Sequence, residues 1–240
     1  MRGGRRLVLL LLVTLAVAVA TPWVGLERLS LEALTGTSGV SAEATILWQI
    51  RLPRVLAALL AGAALALGGA AFQAVFRNPL ATPFTLGVAS GAAFGVALVG
   101  RLGPLLGRLG IPADTAAALA GALLAVAMVW VLSRLKPAFS STALLLAGVA
   151  MSFFFSSLIL YLQYTATPGD AFRVVRWLMG GLGAVGYSAV LHMAPFVLAG
   201  GAVLARHVRT LDLLATGDEL AASRGVDVAR VRRDIFLATS

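Results

Sequence analysis

Long uncharged runs separated by short polar breaks set the pattern of this chain. Leu7–Leu26 is apolar but for Thr14, Thr21 and Pro22. Val55–Val75 is a run of 21 residues without a charge. As a helix rising ~1.5 Å per residue it covers about 30 Å, one hydrocarbon thickness. Phe84–Gly100, Thr115–Leu132, Ala143–Gln163 and Ala189–Ala205 repeat the theme, and Ile235 opens a further apolar run reaching Ser240. The pattern predicts an all-α polytopic membrane protein with six transmembrane helices plus the start of a seventh.

The breaks between runs are informative. Leu29–Trp48 is polar by the standard of this chain, with Glu32 and Glu43, and reads as a loop carrying a short surface helix. Pro53 falls at a helix start, where its missing N–H costs least. Asn78-Pro79-Leu80-Ala81 with Pro83 is a tight return, because two prolines four apart stop helix continuation and Asn before Pro favours a turn. Arg101–Asp114 and Arg134–Thr142 are loops, and Thr165–Ser188 is a partly helical segment that includes the Gly-rich piece Gly180-Gly181-Leu182-Gly183. Small residues recur every four positions, at Ala58, Gly62, Ala66, Ala70 and Ala74, and again at Gly87, Gly91 and Gly95. Such stripes let helix backbones approach closely. With Phe153, Phe154 and Phe155 consecutive, at least one must face lipid.

Composition agrees. Of 240 residues, 60% are hydrophobic and 12% charged, with a mean hydropathy of +0.95. Soluble domains carry roughly 25% charged residues. The net charge of +9 would suit nucleic acid in a soluble protein. Here the arginines cluster between apolar runs, which marks topology and an anionic lipid surface instead. Arg2, Arg5 and Arg6 before an apolar core also describe a signal peptide. The run is long enough to span, however, and more membrane follows, so it reads as a first helix with a cytoplasmic N-terminus. That orientation places Arg2, Arg5, Arg6, Arg77, Arg134, Lys136, Arg206, Arg209, Arg224, Arg230, Arg232 and Arg233 inside, and Arg28, Arg51, Arg54, Arg101, Arg108, Arg173 and Arg176 outside. Twelve against seven favours it, and the seven outer arginines need a separate reason.

No Asp, Glu, Lys or Arg lies inside a predicted span, whereas proton-driven carriers and ion pumps keep ionisable groups at mid-depth. There is no phosphate-binding loop, so energy for uphill transport must come from a partner. The absence of cysteine excludes disulfides and thiolate metal sites. His192 and His207 have no second ligand nearby in sequence, no catalytic constellation appears, and neither metal nor cofactor is expected. Within Arg206–Arg233, the longest polar stretch, Asp218 and Glu219 suit a helix N-terminus and Gly225 the residue after its end. Asp227 can cap a second helix through Val228–Arg233.

These residues resemble FecCD-type permeases of ABC importers, which take up ferric siderophores, haem and vitamin B12; the vitamin B12 branch is closest in pattern. The resemblance rests on Arg51-Leu52-Pro53-Arg54, Gly62-Ala63-Ala64-Leu65-Ala66 with Gly69, Asn78-Pro79-Leu80-Ala81 with Pro83, Leu86-Gly87 with Gly91-Ala92, Leu144–Val149, Trp177 with Met179-Gly180-Gly181, and Gly217-Asp218-Glu219 with Ala221 and Arg224-Gly225-Val226. The motifs run in family order from Arg51 to Arg233. The resemblance implies an ABC importer (type II) permease fold, incomplete here, as a single domain over residues 1–240 with a cytoplasmic coupling region at 213–233. It implies a non-enzymatic transport subunit in a bacterial or archaeal cytoplasmic membrane. Its partners would be a second copy forming a homodimer, an ABC ATPase subunit that hydrolyses ATP, an extracytoplasmic substrate-binding protein and the lipid bilayer, with no nucleic acid. Among the substrates, a ferric siderophore is the commonest in the family.

By resemblance, Arg51 and Arg54 receive acidic residues of the binding protein. Asp218, Glu219, Leu220, Ala221, Arg224, Gly225 and Val226 sit on the ATPase. Ser141 and Thr142 match a polar pair at the cytoplasmic gate. The family has ten helices, so a chain stopping as the seventh begins is expected to be a truncated frame or a partial record. A secondary carrier or channel, and a membrane scaffold without transport, are the other classes. The first needs polar spans, and the second has no use for outer arginines together with an inner docking helix.

Overall fold

The computed structural model describes residues 2–25, 27, 29–34, 42–102, 113–134, 141–182 and 186–239. Every regular element among them is helical. The α-helices are α1 (Arg2–Ala20), α2 (Ala42–Thr45), α3 (Leu52–Phe76), α4 (Val88–Leu102), α5 (Ala113–Arg134), α6 (Ser141–Tyr164), α7 (Pro168–Met179), α8 (Tyr187–Arg206), α9 (Val208–Thr216), α10 (Asp218–Ser223) and α11 (Val228–Thr239). Among the described residues five stretches are long and apolar enough to cross a membrane: Gly4–Trp23, Ala42–Phe76, Ala113–Leu132, Leu145–Tyr164 and Tyr187–Arg206. The third expected span survives as a shorter apolar helix, Val88–Val99. It is shorter because Pro83–Leu86 forms a 3-10 turn and Gly87 adopts φ +78° before α4 begins.

The chain divides into two compact units, Met1–Ala63 with Leu182–Leu198, and Ala64–Gly181 with Ala199–Ser240. In the first, α1 presents Leu7, Leu9, Leu10 and Leu11 fully outward, as lipid contact requires. The loop expected over Leu29–Trp48 is helical in part. Helix begins at Ala42 and passes through a π-helical segment, Ile46–Arg51, straight into α3. Pro53 therefore lies within a helical run rather than at its start. The widened turn ahead of it, where the Leu52 N–H bonds the Leu47 carbonyl, accommodates a residue that cannot donate its own bond.

The second unit holds the main core. Phe72, Val75, Phe76, Leu86, Val126, Val129, Met151, Phe155, Leu214, Ile235 and Phe236 are buried together. Of the three consecutive phenylalanines, Phe153 and Phe154 are exposed and Phe155 is buried. Helices α4 and α5 meet through glycine. A Cβ on Gly91 would lie 2.5 Å from the Gly121 carbonyl oxygen, and one on Gly121 would overlap the Gly91 carbonyl. The stripe on α3 behaves differently: Ala58, Gly62, Ala66 and Ala70 are exposed, and a Cβ on Gly62 meets nothing within 4 Å. Spacing of small residues shows where a backbone permits contact, and not which helix arrives there.

Helix α7, inside the segment expected to be partly helical, is specified locally. The Thr167 hydroxyl oxygen accepts from the Asp170 N–H at 3.3 Å, Pro168 opens the first turn, and Gly180 at φ +68° ends it. Arg206–Arg233 also contains more helix than expected. Helix α9 is amphipathic rather than apolar, and α11 continues unbroken from Val228 through the run expected to begin at Ile235.

Candidate functional site

In the first unit Arg51 and Arg54 stand three apart on one helical run, so they lie side by side. Their surroundings differ. The Arg51 guanidinium donates through Nη1 to the Pro22 carbonyl at 2.8 Å and through Nη2 to the Glu27 carbonyl at 2.7 Å. These are carbonyls of the chain leaving α1, where helical partners have run out. Gly25 lies beneath the guanidinium, and a Cβ there would come within 2.7 Å of Nη2. Arg51 is thus half-buried and clamps the α1 exit, whereas Arg54 is exposed. Both line a mainly apolar cavity of about 740 Å³, shared with Pro22, Val24, Ile50 and Leu182.

In the second unit the Asn78–Pro83 return is built by two devices. Helix α3 ends with Arg77 at φ +50°, the Arg77 N–H reaching the Ala74 carbonyl and the Asn78 N–H the Gln73 carbonyl, a Schellman closure with arginine where glycine is usual. Asn78 Oδ1 then accepts from the Leu80 N–H at 2.9 Å, and the Ala81 N–H bonds the Asn78 carbonyl at 3.0 Å. Ala81 is buried in the core, while Leu80 and Phe84 project outward. The Arg77 guanidinium comes close to Gly217, Nη1 lying 3.6 Å from a Cβ built there. The return and the start of α10 are therefore neighbours.

Helix α10 is two turns closed at both ends. Gly217 precedes it at φ +138°, and Asp218 and Glu219 occupy its first turn, where free N–H groups favour negative charge. At its end Gly225 adopts φ +83°. Its N–H reaches the Ala222 carbonyl at 2.9 Å and the Val226 N–H reaches the Ala221 carbonyl at 3.1 Å, again a Schellman closure. Ala221 is buried and Val226 packs on the same core, so they fasten the helix. Glu219, Leu220 and Arg224 point outward, Leu220 with 44% of its surface exposed.

Asp218 turns inward. Its carboxylate oxygens lie 2.9 and 2.8 Å from Nη2 of Arg232 on α11. Arg232 is 1% exposed, the one buried charged side chain among the described residues. In the sequence Arg232 is one of the twelve arginines and lysines expected on the inner side, with nothing in its immediate neighbours to set it apart. The signal was its register: in α11 it shares a face with Val228, Ile235 and Phe236, an arginine on an apolar stripe. His207, between α8 and α9, lies 3.6 Å from Asp234 of the same helix. Asp227 caps α11 as expected, its Oδ1 accepting from the Arg230 N–H at 3.0 Å.

Ser141 and Thr142 form the first turn of α6, but their side chains lie outside the described residues, as does the 135–140 segment before them. No cluster of three metal-ligating side chains occurs among the described residues.

Comparison with known proteins places this architecture. The description of the FecCD transport family matches residues 6–240. The ABC transporter permease protein YvrB of Bacillus subtilis (strain 168) is 40% identical over 81% of this chain and 55% of its own length. The vitamin B12 import system permease protein BtuC of Salmonella typhi is 38% identical over 80% of this chain and 57% of its own. The chain thus spans a little over half the length of these relatives. A solved metal-chelate type ABC transporter, in an inward-facing conformation, superposes with a TM-score of 0.83 at 30% identity, covering 98% of this chain and 73% of that one. The family match reaches from the first helix to the last, and on it the chain belongs to the FecCD transport family.

Proposed function

We propose that the chain supplies permease helices of an ATP-driven ABC importer for a bulky metal chelate, the class of ferric siderophores, haem and cobalamin. The vitamin B12 import permease among its relatives favours cobalamin or a chelate of similar bulk within that class. The N-terminus, the Asn78–Pro83 return and the 213–233 coupling region face the cytoplasm in this reading. A second copy completes the translocation path, an ATPase docks on α10, and a binding protein docks on the opposite side of the membrane.

The observation that carries the reading is α10 itself. A two-turn helix fixed at both ends, anchored by Ala221 and presenting Glu219, Leu220 and Arg224, has the form of a knob for a partner's groove. The doubly substituted Leu220→Asp/Arg224→Glu chain, co-expressed with the ATPase of its transport system, is expected to lose ATPase association at least about tenfold in membrane pull-downs. Undiminished association at equal membrane levels would remove the coupling assignment.

The two outer arginines divide their work. Arg54→Glu is expected to weaken binding-protein capture by proteoliposomes about fivefold at low salt and less at high salt, as for a rim charge. Arg51→Glu should instead lower the thermal midpoint, because it unmakes the clamp on the Pro22 and Glu27 carbonyls. Capture by Arg54→Glu equal to that of the parent chain at low salt would sink the docking role.

A further inference from the structure

We propose that Arg232 is the positioning residue of the coupling helix: by holding Asp218 in a buried pair it makes α10 and α11 one body, so that α10 is presented to the ATPase in a single orientation. The inference rests on the reading of α10 as the ATPase-facing element and adds to it a part of the machinery that does not touch the partner.

Helix α10 has only six residues, too few to hold its own direction, and it is flanked by glycines at φ +138° and +83°. With a glycine on either side, its direction is set by what its side chains hold. Ala221 supplies an apolar anchor but is too small to fix the axis. The directional tie is Nη2 of Arg232, set between both carboxylate oxygens of Asp218 across fourteen residues of sequence. The two partners are unequally buried. Arg232 is 1% exposed, while the Asp218 side chain keeps 31% of its surface in solvent and sits at a helix N-terminus. Asp218 therefore keeps access to water without its partner, whereas the Arg232 guanidinium is enclosed. Losing the arginine thus loosens α10 while the Asp218 carboxylate stays within reach of water.

Arg232 is also tied to the core. Four residues along the same face of α11, Phe236 packs on Phe72 of α3 with ring centroids 5.3 Å apart, and on Phe76 at 5.9 Å. The tie from α10 therefore ends on the last two turns of the helix that leads into the Asn78–Pro83 return. The proposal reassigns Asp218 as well, from a residue expected to touch the ATPase to one that faces its own protein.

The test uses Arg232→Met, which fills similar volume without a charge. The chain has no cysteine, so Leu220→Cys and Ala229→Cys introduce the only two thiols for spin labels. In detergent, the distance distribution between them is expected to be narrow with Arg232, at least twice as broad with Arg232→Met, and narrow again with Arg232→Lys, because one nitrogen serves both oxygens. ATPase association should fall about fivefold with Arg232→Met and recover with Arg232→Lys, the thermal midpoint staying near that of the parent. A distribution equally narrow in Arg232→Met, or ATPase association unchanged while Leu220→Asp/Arg224→Glu abolishes it, would overturn the positioning role and leave the docking face intact. Association unaffected by either set of changes would overturn the docking reading, and the distance distributions would still judge the Arg232–Asp218 tie. An Arg232→Met chain that does not accumulate in membranes, with Arg232→Lys accumulating normally and labelling narrow, would make the pair a folding element and likewise overturn the proposal.

Discussion

Gly121→Leu is expected to destabilise the second unit by about 3 kcal/mol, the upper part of the range for overpacked cores. A Cβ on Gly121 falls on the Gly91 carbonyl, and a Cβ on Gly91 would stand 2.6 Å from that of Ala125. Gly95 meets the Ala117 carbonyl in the same way one turn on. The obstacles are backbone atoms and a Cβ, not the ends of flexible side chains, so no rotamer change relieves them and the two helices must separate. Separation costs the close packing that, in lipid, takes the place of a hydrophobic drive between helices. In detergent the thermal midpoint should fall by about 10 °C, taking roughly 3 °C per kcal/mol for a chain of this size. Gly62→Leu is the matched control, since nothing lies within 4 Å of its Cβ position and its midpoint should move little. Equal midpoints for the two variants would show that the α4–α5 crossing is looser than the glycine contacts require.

That pair of glycines also shows what the sequence could and could not say. Gly91 and Gly62 look alike in sequence, each within a four-residue repeat of small residues. One is closed over by Ala125 and the Gly121 carbonyl, and the other is open. The repeat is a property of one helix, whereas contact is a property of two. Existence of the spans was legible for the opposite reason: a bilayer demands a continuous apolar run from each helix alone. The ends were less legible. Helix α9 escaped notice because its polar face gives it no apolar run, and helix from Ala42 was hidden by Glu43 and by Pro53, whose effect the π-helical segment absorbs.

At the candidate site, the closures of α10 were readable from Asp218, Glu219 and Gly225, because caps depend on local residue types. The different surroundings of neighbouring arginines were not. Arg51 and Arg54 share a motif, yet the carbonyls that occupy Arg51 belong to a loop more than twenty residues earlier. Arg232 sits between Arg230 and Arg233, and only the helical register separates the buried one from its exposed neighbours.

Phe236→Ala is expected to have an effect as large as Gly121→Leu, by the reverse mechanism. The ring is 2% exposed and packs on Phe72, on Phe76 and, at 6.5 Å, on Trp130. Truncation removes three edge or tilted ring contacts and leaves a hole whose walls belong to α3, α5 and α11. Phe72 and Phe76 are themselves buried, in one core cluster with Val75, Leu86 and Val129, so the walls cannot collapse far. Large-to-small changes at such sites cost about 3–5 kcal/mol, and loss of the ring pairs places Phe236→Ala near 4. Phe236→Leu keeps more of the volume and should cost roughly half as much. The readout is the thermal midpoint in detergent, expected to order as parent, Phe236→Leu, Phe236→Ala in steps of several degrees. A flat series would mean that α11 is held by its other anchors, Val231, Ile235 and the Arg232–Asp218 pair, rather than by the ring. A steep series, with ATPase association falling in step as the midpoint falls, would mean that the α3 contact as well as the pair keeps α10 in place.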